Sequence, residues 1–141
     1  MNLTFIKKAI ETQNLETLIK SPEKKIPVER LYVSLPTETK EPLLLEIMYV
    51  PEVEKELEKS KLLQFFVYIN ESNNKEHDNL RKKILDFNIH IPIGLIGLHQ
   101  RDNFIYFKHN QIIPTETNAG VLEAIKELIW LITHTLNTFL S

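Results

Sequence analysis

Hydrophobic and polar residues along the chain follow two rhythms, one of three to four positions and one of two, and these mark helices and strands in turn. Leu3, Ile6, Ala9, Ile10 and Gln13 recur at helical spacing and predict a first helix. Asn14 either ends that helix or caps a further turn through Leu18 and Ile19. Residues 21–27, Ser-Pro-Glu-Lys-Lys-Ile-Pro, predict a loop, since the residue before each proline is pushed away from helix. Two strands follow. Over residues 30–35, Leu31, Val33 and Leu35 alternate with Tyr32 and Ser34. Over residues 43–50, Leu43, Leu45, Ile47 and Tyr49 share one face, and Leu44, Glu46, Met48 and Val50 the other. Residues 36–42 form the polar turn between them. Residues 51–61 are a charged connector with Glu and Lys three and four apart, which reads as a short solvated helix. Residues 62–70 are strongly β in composition and predict a third strand.

A polar loop over residues 71–78 leads to a second helix over about residues 78–88, with a narrow stripe of Leu80, Ile84 and Phe87. Asp78 is placed to cap it, and Arg81, Lys82 and Lys83 lie outside. After Ile91-Pro92-Ile93-Gly94 comes a hairpin of residues 95–99 and 104–109, joined by Gln100-Arg101-Asp102-Asn103. Four turn residues set its register, with Gly97 near Tyr106. Residues 110–118 read as a loop, and residues 118–139 as the last helix. The fold class is therefore α+β, in the order α-β-β-β-α-β-β-α, with an antiparallel sheet and packed helices. No composition shift divides the chain, so residues 1–141 are read as one domain.

Alternation also sorts the sheet's two faces. If Leu31, Val33, Ile47, Phe65, Val67, Ile96, Leu98, Ile105 and Phe107 point to the core, then Tyr32, Met48, Phe66, Tyr68, Phe104 and Tyr106 point the other way. They do so among Ser34, Glu46, Gln64, His99 and Lys108. Such a face is too aromatic for plain solvent and too polar for a buried core. Either one of the chain's own helices covers it, or it is a partner or dimer surface. On the last helix, Val121, Leu122, Ile125, Leu128, Ile129, Ile132, Leu136, Phe139 and Leu140 form a core arc. Trp130 projects opposite, and Leu131 sits on the flank. Trp130 is a lone exposed aromatic, one covered by a loop, or part of an interface.

Composition narrows the chemistry. A hydrophobic share of 43% with 26% charged residues is that of a globular protein. Net charge is −2, from 17 basic and 19 acidic residues without a block of one sign, which argues against nucleic-acid and anionic-membrane partners. Sheet aromatics can stack on bases, but the flanking basic residues and an RNA-binding Lys/Arg-Gly-Phe run are missing. Without cysteine there is no disulfide, thiolate zinc site or thiol nucleophile. Lys7 and Lys8 stand where a signal peptide needs apolar residues, and no apolar run is longer than the five of residues 128–132, too short to span a membrane. A cytoplasmic location is expected, and the Asn70-Glu71-Ser72 sequon is read as chance.

Catalytic patterns are also missing. None of His77, His90, His99, His109 and His134 has another histidine at the i+4 spacing that sets two ligands on one helix face. His99 and His109 share a hairpin, with His99 facing Phe104 and His109 facing Gly94, so about 16 Å of strand at ~3.3 Å per residue divides them. No serine lies in a Gly-x-Ser-x-Gly turn, and Gly94, Gly97 and Gly120 cannot make a phosphate-cradling loop. The pairs Glu52/Glu56 and Glu54/Glu58 lie on the charged connector, with no apolar surroundings to raise one pKa. The expectation is a non-enzymatic protein with no metal and no cofactor.

The run Asn88-Ile89-His90-Ile91-Pro92-Ile93-Gly94-Leu95-Ile96-Gly97-Leu98, going from helix through a small-residue turn into a hairpin, together with the order of elements along the whole chain, resembles the superfamily of type III secretion chaperones, the YbjN proteins and related uncharacterised cyanobacterial proteins. That resemblance implies a non-enzymatic, often dimeric, protein-binding domain. The functional expectation is a chaperone-like or adaptor domain that holds a protein partner, with strand addition at an open sheet edge as one mode. A domain that only self-associates is the alternative, and a small-molecule-binding domain comes third. The expected partner or dimer surface is Tyr32, Met48, Phe66, Tyr68, Phe104, Tyr106, Trp130 and Leu131.

Overall fold

The computed structural model describes residues 2–39, 41–71, 77–99, 101–116 and 118–141. α1 (Leu3–Glu11) begins where the Asn2 side chain accepts the Phe5 N–H at 3.3 Å, and it buries Leu3, Ile6 and Ile10. It ends at Glu11, and Asn14, in the turn that follows, has a φ of 59°, the left-handed conformation that asparagine tolerates better than most residues. The chain is thereby turned out of the helix, and residues 17–20 form a strand, β1 (Thr17–Lys20). Of the two sequence readings of Asn14, the end of the helix holds and the further helical turn through Leu18 and Ile19 is corrected to a strand. A stretch of four residues is too short for alternation to declare itself. The neighbouring strand supplies the pairing that decides it, with Leu18 opposite Tyr32 and Ile19 opposite Leu31.

β2 (Arg30–Leu35) and β3 (Leu43–Tyr49) form the expected hairpin. The connector makes a short 3-10 helix, Pro51–Glu56, with no buried residue. β4 (Ser60–Glu71) then runs back along β3. α2 (His77–His90) starts one residue earlier than expected, so Asp78 lies in its first turn rather than capping it. β5 (Leu95–His99) pairs with β6 (Phe104–Pro114) in the expected register, Gly97 opposite Tyr106 and Ile96 opposite Phe107. β6 continues beyond its expected end, and residues 110–114, read as loop, pair with β4 instead. α3 (Ala119–Leu140) closes the chain, with the Asn118 side chain accepting the Val121 N–H at 2.9 Å. Much of the polar loop before α2, Ser72 of the sequon and Gln100 of the hairpin turn lie outside the described residues.

The strands form one six-stranded antiparallel sheet in the order β1-β2-β3-β4-β6-β5. The observed order is thus α-β-β-β-β-α-β-β-α, one strand more than the sequence predicted. Leu31, Val33, Leu45, Ile47, Phe65, Val67, Ile96 and Phe107 point to one face, where they join Ile6 and Ile10 of α1, Ile84 of α2 and Ile125, Ile129, Ile132 and Leu136 of α3 in a single buried cluster. All three helices therefore lie on the same side of the sheet. Phe87 of α2 meets Phe139 of α3 edge-on at 5.1 Å between ring centres. Leu140 was counted in the core arc but is exposed, on the side of the last turn that turns away from the buried Phe139. No helix among the described residues is long and apolar enough to cross a membrane.

Candidate functional site

With the helices all on one side, the other face of the sheet is left open. Of the two sequence readings, cover by one of the chain's own helices is not met: among the described residues no helix lies over the aromatic face. Its rows follow from the register. Tyr32, Glu46, Phe66, Lys108 and Leu95 lie side by side across five strands, and Met48, Gln64 and Asn110 form the next row on one side. On the other side Tyr68, Tyr106 and Gly97 align, followed by Phe104 and His99. None of these side chains whose exposure is described is buried.

The aromatic residues form a ladder. Phe66 stacks on Tyr106 at 5.5 Å, Tyr106 lies 5.9 Å from Phe104, and Phe104 touches both Tyr68 at 5.3 Å and His99 at 4.7 Å. Offset and tilted pairs at these distances hold the rings in place without covering them. The Tyr106 ring lies over Gly97, where an added Cβ would come within 2.3 Å of it. Polar contacts fix the rim. The Tyr32 hydroxyl donates to Glu46 Oε2 at 2.7 Å, and Lys20 Nζ stands 5.5 Å from the Tyr32 ring centre. Partial burial and the Glu46 carboxylate hold the Tyr32 hydroxyl above its ordinary pKa, so it stays a donor.

The structure brings Tyr32, Met48, Phe66, Tyr68, Phe104 and Tyr106 together on this face, as the alternation required. It separates them from Trp130 and Leu131. Those two lie on α3, in the helix layer, 47% and 36% exposed. Leu131 lines a groove between α3 and β6, whereas Trp130 projects away from the core arc. Further apolar residues belong to the open face. Leu18, Leu44 and Ile112 are each more than half exposed. Leu18 was missed because its strand was not read, Ile112 because it lies beyond the expected end of β6, and Leu44 because its neighbours on that side, Glu46 and Ser34, are polar.

Other chemistry is sparse. Among the described residues no three His, Asp or Glu side chains gather to hold a metal ion. His109 was expected at a solvent-exposed strand end, but it sits within the long β4–β6 pairing, half-buried beside Phe65, with Nε2 3.2 Å from Gln111 Oε1. His99 Nδ1 accepts the Asp102 N–H at 3.2 Å. Two open surface grooves are present. One, of about 360 Å³, lies on the open face beside Leu18, Tyr32 and Leu44, and another, of about 390 Å³, lies between β6 and α3. No protein-family model matches the chain, and no curated protein does either.

Proposed function

We propose that this chain is a non-enzymatic protein-binding domain, chaperone-like or adaptor-like, whose working surface is the open aromatic face of the sheet. The observation that carries this reading is a contiguous aromatic ladder with no helix over it. Apolar patches of this kind rarely stay exposed, because each Å² removed from water is worth about 25 cal/mol. Six strands about 4.8 Å apart and some 20 Å long give a projected patch of roughly 500 Å² before side-chain relief, near the ~800 Å² per partner of a stable interface.

A second copy of the chain is the first occupant. In the central row, Glu46 and Lys108 flank Phe66 with opposite charge. A two-fold axis along β4 through Phe66 sets Glu46 of one protomer against Lys108 of its partner, so the patch complements itself. The resemblance to secretion chaperones and YbjN proteins supports the same reading, in which the dimer is cytoplasmic and holds a client protein. Sedimentation at micromolar concentration tests it. A dimer is expected, weakened at least about tenfold by Phe66→Ala and left unchanged by Trp130→Ala. A monomer at all concentrations would remove the self-association. Affinity purification from cell extract then decides whether a client protein occupies the same face.

A further inference from the structure

The sheet's edges are guarded unequally. β1, at one end, is four residues long and carries Lys20, both of which discourage further pairing. At the other end, the Asn88 side chain of α2 accepts the Ile96 N–H and donates to the Ile96 carbonyl, both at 2.8 Å. That amide stands in for a neighbouring strand and closes the edge of β5. β5, however, covers β6 only from Phe104 to Lys108, while β6 continues along β4 to Pro114. Among the described residues, β6 has a strand on one side only over residues 109–114. Alternate backbone N–H and C=O groups there face the open side. The Gln111 side-chain amide donates back to the Ile112 carbonyl at 3.3 Å, a weak local substitute for a partner.

Beside this open edge runs the groove of about 390 Å³ walled by Ile113, Ala124, Leu128 and Leu131, with Glu127 among its lining residues. Glu127 has no ion pair among the described residues. We propose that this edge takes a short extended peptide of a partner protein, added to β6 as a strand in line with β5. An apolar side chain seats against Leu128 and Leu131, and a basic residue meets Glu127. Only another extended backbone presents donors and acceptors at the spacing the edge requires. Six residues of edge span about 20 Å, so two copies paired here would bury far less than the ~800 Å² per partner of a stable dimer. Area thus excludes a second copy, and the carboxylate sets the sign of the ligand. The proposal rests on the protein-binding reading but uses the backbone edge of β6 and the groove beside α3 rather than the aromatic ladder, so the two fail separately.

Hydrogen–deuterium exchange of the whole chain tests it, with an eight-residue peptide of alternating valine and threonine, lysine at each end, as the probe. Amide exchange within residues 109–113 is expected to slow at least about tenfold on peptide addition. Of two peptides N-methylated at alternate amides in opposite phase, one keeps its affinity and the other loses at least about tenfold, because only one phase faces β6. Ala124→Trp, which fills the groove from an exposed helix position, causes the same loss, and Phe66→Ala causes none. The proposal is overturned if exchange is unchanged, if both methylated peptides behave alike, or if protection appears on the aromatic face instead. Protection that grows with protein concentration alone would assign the edge to a second copy and overturn it equally.

Discussion

Single side chains settle several joints of this fold, and Asn88 is the clearest. It makes two hydrogen bonds to one backbone unit of β5, so it joins α2 to the sheet edge. Asn88→Ala leaves both Ile96 groups without that partner and is expected to cost about 1–3 kcal/mol in denaturant unfolding. Asn88→Asp keeps only the acceptor and recovers less than half of that. The glycines differ in kind. Gly94 has φ 62°, and an added Cβ would lie 2.6 Å from the Lys108 carbonyl oxygen, so Gly94→Ala meets both strain and backbone. Its cost is at least about 1 kcal/mol of stability. Gly97→Ala meets first the movable end of the Tyr106 ring. It is expected to spare the fold and disturb the aromatic ladder, which a melting curve and a sedimentation run together distinguish. Tyr49 reports on pH. Burial, with Glu29 nearby, raises its hydroxyl from the ordinary 10.0 to about 12. A group whose folded pKa is raised gives stability that is complete below the unfolded pKa and lost above it. Stability should therefore fall as pH rises from about 10 to about 12, and Tyr49→Phe should flatten the decline across that window.

Elements begin and end here for local reasons that a few residues carry. α3 starts at Asn118 because its side chain takes up the Val121 N–H, and Asn118→Ala is expected to lower stability by about 1 kcal/mol, with Asn118→Asp nearly neutral. Within α3, Thr133 and Thr135 are buried although polar. Their hydroxyls donate to the carbonyls of Ile129 and Leu131 at 2.9 and 2.8 Å, one turn back, which removes the cost of burying them. α1 and β1 are tied by Glu11, which accepts from Lys7 and, at 3.0 Å, from the Thr17 hydroxyl. Those bonds hold its carboxyl below the usual range. Arg30 enters β2 almost fully buried, with Nη2 reaching the Ser21 carbonyl at 3.5 Å and Glu23 at 3.4 Å, so it pins the loop before the strand. Nothing in the alternation of residues 30–35 marked it as a buried residue.

At the scale of the whole molecule, helices on one side of an antiparallel sheet cover one face, and among the described residues no helix covers the other. Under the proposed two-fold arrangement, Lys108→Glu sets two carboxylates against each other in each half of the interface and should weaken association at least about tenfold. Adding Glu46→Lys restores the opposite charges and should recover most of the loss, a coupling that sedimentation of the single and double variants measures. Independent effects of the two changes would place the interface elsewhere. Trp130, on the helix layer, is not part of that arrangement, and its substitution leaves the association constant unchanged.

Much of this molecule follows from near-neighbour pattern. Period-two alternation was enough to place Phe66 and Tyr106 opposite Phe65 and Phe107, because a strand's side chains can point only two ways. The four-residue turn set the hairpin register for the same local reason, and the stripe on α3 marked its buried side from Ile125 to Phe139. What lies far apart in sequence was settled only in the folded chain. β1 and the last turns of β6 are strands because β2 and β4 offer them hydrogen-bonding partners, not because their own residues demand it. Which face the helices would cover was likewise open, since an amphipathic helix fixes which of its sides is buried but not against which side of a sheet. Asn88 closing β5, and β6 left open beyond Lys108, depend on strand lengths and packing angles that no spacing of residues along the chain contains.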